Sequence, residues 1–174
     1  GPGQPTSLKC EYLSNPLGID VCQPRFSWVL AHTERGQLQT AYQVLVATSP
    51  SLLNQGKPDQ WDSGKVVSDE SAQVVYGGKA LESDRTYYWR VRYWDKADQA
   101  SPYSATGQFD TALLSPSDWK AQWIGGNNLL RKEFQIPGGI KRARAFVTAL
   151  GYYELRINGE KVGLNVLDPG WTTF

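Results

Sequence analysis

The stretch that decides the fold of the first half of the chain is 86-TYYWRVRYW-94. Every second position is apolar or aromatic: Tyr87, Trp89, Val91 and Tyr93. The positions between them carry Tyr88, Arg90 and Arg92. A period of two puts one set on one face of a sheet and the other set on the opposite face. The pattern predicts a β-strand over 86–94 with one face in the core.

Further segments with strand character lie on both sides of this one. Strands are predicted over 8–13, 25–30, 41–47, 61–67, 72–76 and 104–111. A single helical turn is predicted after Ser49-Pro50, because Ser favours the N-cap and Pro the first helical position. Short strands separated by Gly, Pro and Asn turns indicate a β-sandwich. Leu81 lies six residues before Tyr87, a spacing typical of the tyrosine corner of such sandwiches, in which the Tyr hydroxyl bonds back to the chain.

A second β pattern begins near Asn127. Strands are predicted over 130–136 and over 142–150, with a buried face at Ala143, Ala145, Val147 and Ala149. The sequence 149-ALGYYELRINGEKVGLNVLDPGW-171 then reads as a β-hairpin, because Asn158-Gly159 tolerates the positive φ of a type I′ turn. A hairpin is not stable by itself, so we expect its domain to continue beyond Phe174.

Four blocks in order resemble the start of bacterial α-L-rhamnosidases. They are 8-LKCEYLSNPLGID-20 with 24-PRFSW-28, then 87-YYWRVRYWD-95, 118-DWKAQWIG-125, and 154-ELRINGEKVG-163 with 167-LDPGW-171. The resemblance covers nearly the whole chain and implies an all-β fold. It implies an immunoglobulin- or fibronectin-III-like sandwich over 1–113, a linker over 114–126, and the first part of a jelly-roll, carbohydrate-binding-like domain over 127–174. Trp119 and Trp123 are expected to pin the linker to a domain surface.

The resemblance also implies what the parent protein does. It would be a glycoside hydrolase that releases terminal α-L-rhamnose by an inverting, two-carboxylate mechanism. In this family the catalytic carboxylates lie far downstream in a helical barrel, so we expect no catalytic residue in this chain. The implied partners are a rhamnose-containing glycoside, bound through the parent enzyme, and the rest of the same polypeptide or a symmetry-related copy.

The alternative is a stand-alone carbohydrate-binding or fibronectin-like interaction module. For such a module, the outward Arg90 and Arg92 beside Tyr88 would form a recognition stripe. The chain holds seven Trp and nine Tyr, which fit sugar-stacking platforms as well as a sandwich core. The core role is the favoured one for any single ring.

One loop holds the candidate sugar-binding residues Asn165, Asp168 and Trp171. Some rhamnosidases bind rhamnose through calcium in the jelly-roll region, and Asn165 and Asp168 could supply oxygen ligands. Trp171 could cover the apolar face of a sugar. The favoured alternative makes Asp168-Pro169-Gly170 a turn and Trp171 a core residue, with no cofactor at all.

Composition excludes several classes of protein and site. The net charge is +1, from 18 basic and 17 acidic residues, so no basic field attracts nucleic acid or an anionic membrane. No apolar run approaches the roughly 20 residues that span a bilayer. A catalytic triad would have to use His32, the single histidine, which lies in a polar turn. One His and two separated Cys do not suit a zinc site.

The two cysteines and the N-terminus bear on the compartment. Cys10 and Cys22 flank a turn, and a disulfide between them would fit an exported protein, although two reduced thiols are the favoured alternative. The N-terminus shows no signal-peptide pattern. The chain contains no Met, so Gly1 would follow either a removed signal peptide or a cloning step. The compartment stays open, with a periplasmic or secreted protein preferred to a cytoplasmic one.

Overall fold

A computed structural model of the chain describes residues 1–126 and 129–163. It divides into two compact units, Gly1–Gln122 and Trp123–Phe174. Nearly all of its regular structure is β, in antiparallel sheets, which confirms the predicted all-β class.

Eight strands build the first unit. They are β1 (Pro2–Cys10), β2 (Arg25–His32), β3 (Ala41–Ala47), β4 (Trp61–Asp62), β5 (Val66–Val67), β6 (Val74–Val75), β7 (Thr86–Trp94) and β8 (Gly107–Asp110). A short helix α1 (Pro50–Asn54) follows β3, and a single 3-10 turn spans Pro116–Asp118. As predicted, Ser49 is the N-cap of α1, and its hydroxyl accepts a bond from the Leu52 N–H.

The strands form two sheets that enclose one core. The first sheet has the order β1-β2-β6, and the second has β3 at its centre, paired with β4, β5 and β7, while β8 pairs with β7. Aromatic rings from both sheets meet between them: the centroids of Phe26 on β2 and Trp89 on β7 lie 4.4 Å apart. Phe109 on β8 lies 5.8 Å from Phe26. This is the predicted β-sandwich.

The structure confirms the prediction for β7. Tyr87, Trp89, Val91 and Tyr93 are each at most 2% exposed, whereas Tyr88, Arg90 and Arg92 are half-buried on the other face. The strand pairs along its length with β3, from Ala47↔Tyr88 to Ala41↔Trp94. It is therefore a central strand with a neighbour on each side.

The first strand differs from its prediction, which placed it over 8–13. β1 begins at Pro2, because its residues pair with β2 from Pro2↔His32 to Cys10↔Phe26. It ends at Cys10, because Glu11 and Tyr12 adopt φ of 48° and 64° and turn the chain out of the sheet. The predicted strand over 61–67 is likewise split into β4 and β5.

A loop covers the free edge of β8. The N–H of Gln108 donates to the Asn15 Oδ1 atom, and the N–H of Asp110 donates to the Pro16 carbonyl. Ile19 forms a parallel bridge with Thr111. Covering an edge in this way prevents it from pairing with another chain.

The tyrosine corner is confirmed. The Tyr87 hydroxyl accepts a 2.8 Å bond from the Glu82 N–H, five residues upstream. The Tyr87 ring stacks on Phe109 at 5.4 Å. The corner thus ties the chain that enters β7 to the core.

We expect Tyr87→Phe to lower the free energy of unfolding of the first unit by about 1 kcal/mol, because the Glu82 N–H loses its acceptor. Chemical denaturation followed by tryptophan fluorescence measures this. Tyr88→Phe is the matched control, since the Tyr88 hydroxyl makes no hydrogen bond that the structure describes. Equal midpoints for the two variants would contradict the corner.

Gly107 allows the Trp89 indole to pack over the start of β8. A Cβ atom at Gly107 would lie 2.6 Å from the Trp89 Nε1 atom, and its φ is not in the left-handed region. The constraint is therefore contact with the ring and not backbone conformation.

We expect Gly107→Ala to destabilise the first unit by about 1–3 kcal/mol, because the ring must shift in a packed core. Thermal unfolding measures the change. Gly138→Ala is the control, since a Cβ at Gly138 meets nothing within 4 Å. If Gly107→Ala were as stable as the parent protein, the Trp89 ring could move to accommodate a methyl group, and the packing constraint at Gly107 would be refuted.

The second unit confirms the predicted hairpin. Strands β9 (Arg156–Ile157) and β10 (Glu160–Lys161) pair antiparallel. Asn158 and Gly159 connect them with φ of 52° and 85°, as a type I′ turn requires. Arg156 supports the turn through a 3.1 Å bond from its Nη1 atom to the Gly159 carbonyl.

The two other strands predicted in this unit, over 130–136 and 142–150, do not form in the described residues. The face of 142–150 that was predicted to be buried is also not buried, since Val147 is 40% exposed. In the hairpin, Ile157 is 49% exposed. The physical reason is that a strand needs a paired neighbour, and no segment that the structure describes pairs with these two. The apolar period is present, but none of the described segments pairs with it as a neighbouring strand.

Candidate functional site

The sequence-predicted sugar-binding residues Asn165, Asp168 and Trp171 lie outside the described residues. Among the described residues, the clearest cluster of polar and aromatic side chains lies on the outer face of the second sheet. Tyr88, Arg90 and Arg92 of β7 project from this face. This is the predicted recognition stripe of the alternative function. We define the cation–aromatic ladder as Lys65, Trp94, Arg92, Tyr103 and Arg90.

The ladder alternates cations and rings. The guanidinium of Arg90 lies 4.4 Å from the ring centroid of Tyr103, and that of Arg92 lies 4.8 Å from the same centroid. Arg92 also lies 4.8 Å from the Trp94 ring, as does the Lys65 ammonium. Contacts of this geometry are attractive because a cation meets the negative face of a π system.

Hydrogen bonds hold the ladder in place. The Gln43 Oε1 atom accepts 3.0 Å bonds from both Arg92 Nε and the Tyr103 hydroxyl. The Gln43 Nε2 atom donates to Asp62 Oδ1 at 2.7 Å, which fixes the orientation of the amide. Arg90 donates to the Leu53 carbonyl at the end of α1. Burial raises the pKa of Tyr103, and the nearby Arg92 and Arg90 act in the opposite direction.

The contacts of the ladder restrict the access of a sugar to the Trp94 and Tyr103 rings. Trp94 is only 9% exposed, and each of the two rings already carries two cations within 5 Å of its centroid. A sugar platform needs an open ring face, and these contacts leave little of one. Arg90 and Arg92 therefore brace the sheet against α1 and the segment around Tyr103, and they do not stand free as a recognition stripe.

Both ring nitrogens of His32 form hydrogen bonds within the fold. Its Nδ1 atom accepts a 2.9 Å bond from the Glu34 N–H, and its Nε2 atom lies 3.1 Å from Asp95 Oδ2. The two side chains are 7% and 3% exposed, so the polar turn predicted at His32 does not leave its ring in solvent. This geometry suits the neutral Nε2–H tautomer, with Asp95 as acceptor.

Asp95 organises the turn after β7. Its Oδ1 atom accepts 2.9 Å bonds from the N–H groups of Ala97 and Gln99. The pKa of Asp95 is lowered, first by the bond from the Gln99 N–H; burial opposes this, and the bond from His32 adds to it. The carboxylate is thus held ionised for structural reasons, opposite to the raised pKa of a general acid.

Because its folded-state pKa is lowered, Asp95 stabilises the fold above its ordinary pKa of about 3.9, and this contribution is lost as the pH falls through the folded-state value. We expect Asp95→Asn to destabilise the first unit at neutral pH. The stability of this variant should also fall less steeply than that of the parent protein as the pH is lowered. Denaturation midpoints between about pH 2 and pH 7 test this.

Asp98→Asn is the control, because Asp98 is 71% exposed and pairs only with Lys65 at the surface. At neutral pH its midpoint should lie closer to that of the parent protein than the midpoint of Asp95→Asn does. If the stability of Asp95→Asn fell with decreasing pH as steeply as that of the parent protein, another carboxylate would dominate the loss of stability in acid.

Other acidic side chains also hold backbone in place. Asp59 accepts bonds from both the N–H and the hydroxyl of Thr48, at 2.8 and 2.5 Å. Burial acts to raise the pKa of Asp59, but the two bonds from Thr48, a bond from the Asp59 backbone and the charge of Lys79 together outweigh it, and the net shift is downward. Within 1–126 and 129–163, no group of three His, Cys, Asp or Glu residues could hold a metal ion.

Cys10 and Cys22 are both free in the structure, so the disulfide alternative is not realised. Cys10 is buried and Cys22 is exposed. Burial raises the pKa of the Cys10 thiol, which makes this thiol unreactive. No helix in the described part of the chain has both the length and the apolar character that crossing a membrane requires.

The linker tryptophans differ in their exposure. Trp123 is 70% exposed, whereas Trp119 is 38% exposed and therefore largely covered. Neither ring makes a ring–ring or cation–π contact that the structure describes. That the two rings pin the linker to a domain surface stays a prediction.

Two family models match the chain. The model of the Rha78A-like, N-terminal immunoglobulin domain matches residues 5–115, and that of the alpha-L-rhamnosidase N-terminal domain matches residues 138–174. The chain is 40% identical to an alpha-L-rhamnosidase of Formosa agariphila over 94% of its own length and 19% of that protein. It is 47% identical to one of Streptomyces avermitilis over 68% of its length and 11% of that protein.

A solved structure gives the same result. An alpha-L-rhamnosidase from Dictyoglumus thermophilum is similar over 97% of this chain and 22% of that one, with 38% identity and a TM-score of 0.85. The chain spans about a fifth, or less, of the length of the curated relatives it matches.

Proposed function

The chain belongs to the family of Rha78A-like N-terminal immunoglobulin domains, and from this premise we propose that it is the non-catalytic N-terminal region of an α-L-rhamnosidase. The observation that carries the proposal is the match over nearly the whole chain to one fifth of proteins with that name. The longer protein would hydrolyse terminal α-linked L-rhamnose from glycosides.

The described side chains support a non-catalytic role. His32 and Asp95 are committed to each other and to backbone N–H groups. Among the carboxylates with a shifted pKa, Asp59 and Asp95 are shifted downward by structural hydrogen bonds. An inverting mechanism needs a general acid whose pKa is raised, whereas the pKa is lowered for each of the four described carboxylates with a resolved shift: Glu11, Asp59, Asp95 and Glu154.

The role that fits this chain is support. The first unit is a closed sandwich with a protected edge, and the second carries apolar positions that the described residues leave uncovered. We infer that the second unit is the beginning of a jelly-roll domain, whose remaining strands belong to the longer protein. That Asn165 and Asp168 bind calcium, and that Trp171 contacts rhamnose, stays a prediction from the sequence.

We expect the purified 174-residue chain to release no p-nitrophenol from p-nitrophenyl α-L-rhamnoside, because the family resemblance places the catalytic carboxylates further along the longer protein. The longer protein encoded by the same gene should release it. The matched β-glucoside is the control for specificity. Hydrolysis by the short chain above a blank, or an inactive longer protein under conditions where it is folded, would overturn the proposal.

A further inference from the structure

One loop of the first unit exposes large apolar side chains without an evident structural reason. We define the loop patch as Tyr12, Leu13 and Leu17, which are 56%, 59% and 78% exposed. The three lie within six residues of the loop between β1 and β2. Single exposed apolar residues are ordinary, but a group of them marks a binding surface.

The loop is held firmly at both ends. At its start, Cys10 and Leu13 exchange backbone bonds of 2.9 and 3.0 Å. The Arg25 N–H and Nη2 atoms donate to the Glu11 carboxylate at 2.6 and 3.0 Å, and the Glu11 N–H donates back to the Arg25 carbonyl. Between Leu13 and Leu17, Asn15 Oδ1 accepts a 2.9 Å bond from the Gln108 N–H of β8. The exposure of the patch is therefore built in and does not come from a loose loop.

The backbone of the loop is also strained. Glu11 and Tyr12 are successive non-glycine residues in the left-handed region, with φ of 48° and 64°. L-residues adopt this region at a cost, and such conformations persist where the surrounding bonds enforce them, commonly at functional surfaces. Here the strained pair points Tyr12 outward, where the Arg25 guanidinium lies 5.2 Å from its ring centroid.

We propose that the loop patch is a docking surface for another domain of the same longer polypeptide, and this rests on the proposed function. The opposing surface is apolar, with a hydrogen-bond acceptor facing Arg25, whose side chain is 43% exposed. A solved relative matches 97% of this chain as only 22% of its own, so the sandwich is carried within a much longer polypeptide.

The size of the patch favours a tethered occupant over a free partner. Stable complexes bury about 800 Å² and about 20–30 residues on each side, whereas the loop patch consists of three residues. A covalent connection supplies an effective concentration in the millimolar range. A small patch is then sufficient, and a second copy of the chain is not the expected occupant.

The test is hydroxyl-radical footprinting of the longer protein and of the 174-residue chain, read at Tyr12, Leu13 and Leu17 by mass spectrometry. We expect labelling of the patch to fall at least threefold in the longer protein. Val67, which is 85% exposed on β5, is the internal control and should label equally in both. Equal labelling of the patch in both proteins overturns the proposal.

A variant tests the same contact. Leu17→Ser should leave the denaturation midpoint of the short chain unchanged and should raise the labelling of Tyr12 in the longer protein; Val67→Ser should do neither. An unchanged Tyr12 label, or protection that appears in the short chain as its concentration rises, overturns the tethered occupant. Rhamnoside hydrolysis by the longer protein is scored separately, so an inactive but protected protein refutes the proposed function alone.

Discussion

The pairing of β3 with β7 is the interaction on which the rest of the structure depends. Seven consecutive residue pairs join the two strands, and each strand presents one face to the sandwich core and one to the outer surface. On the inner side, Trp89 and its neighbours meet Phe26 of the opposite sheet. On the outer side, the same alternation positions Arg90 and Arg92 above Tyr103. Core and ladder are two consequences of one register.

The ladder shows how a surface rich in Arg and aromatic residues can be structural. Residues of these types are also enriched at binding surfaces, so composition alone does not separate the two roles. Here Gln43 joins Arg92 and Tyr103 in one hydrogen-bonded network, and Arg90 bonds to the end of α1. Exposed apolar side chains of the unit lie elsewhere, among them three in the loop after β1.

Much of the first unit could be predicted from the sequence, since the period of β7, the Ser49 cap and the Tyr87 spacing each have a local cause. The start of β1 could not, because it depends on pairing with β2 across the chain. The two missing strands of the second unit failed for the same reason: their apolar period is local, but a strand needs a partner. The sequence indicates a turn between Cys10 and Cys22, but the pair Glu11-Tyr12 carries no turn-forming residue, so no local signal ends β1 at Cys10.

The first unit is a closed sandwich, and it precedes a segment whose apolar positions are left uncovered by residues 1–126 and 129–163. Hydrogen–deuterium exchange of the 174-residue chain measures this difference between the two units. We expect amides of β3 and β7 to exchange only through global unfolding, and those of 129–155 to exchange orders of magnitude faster. Protection of 129–155 equal to that of β7 would overturn this description, because it would require paired strands in the second unit.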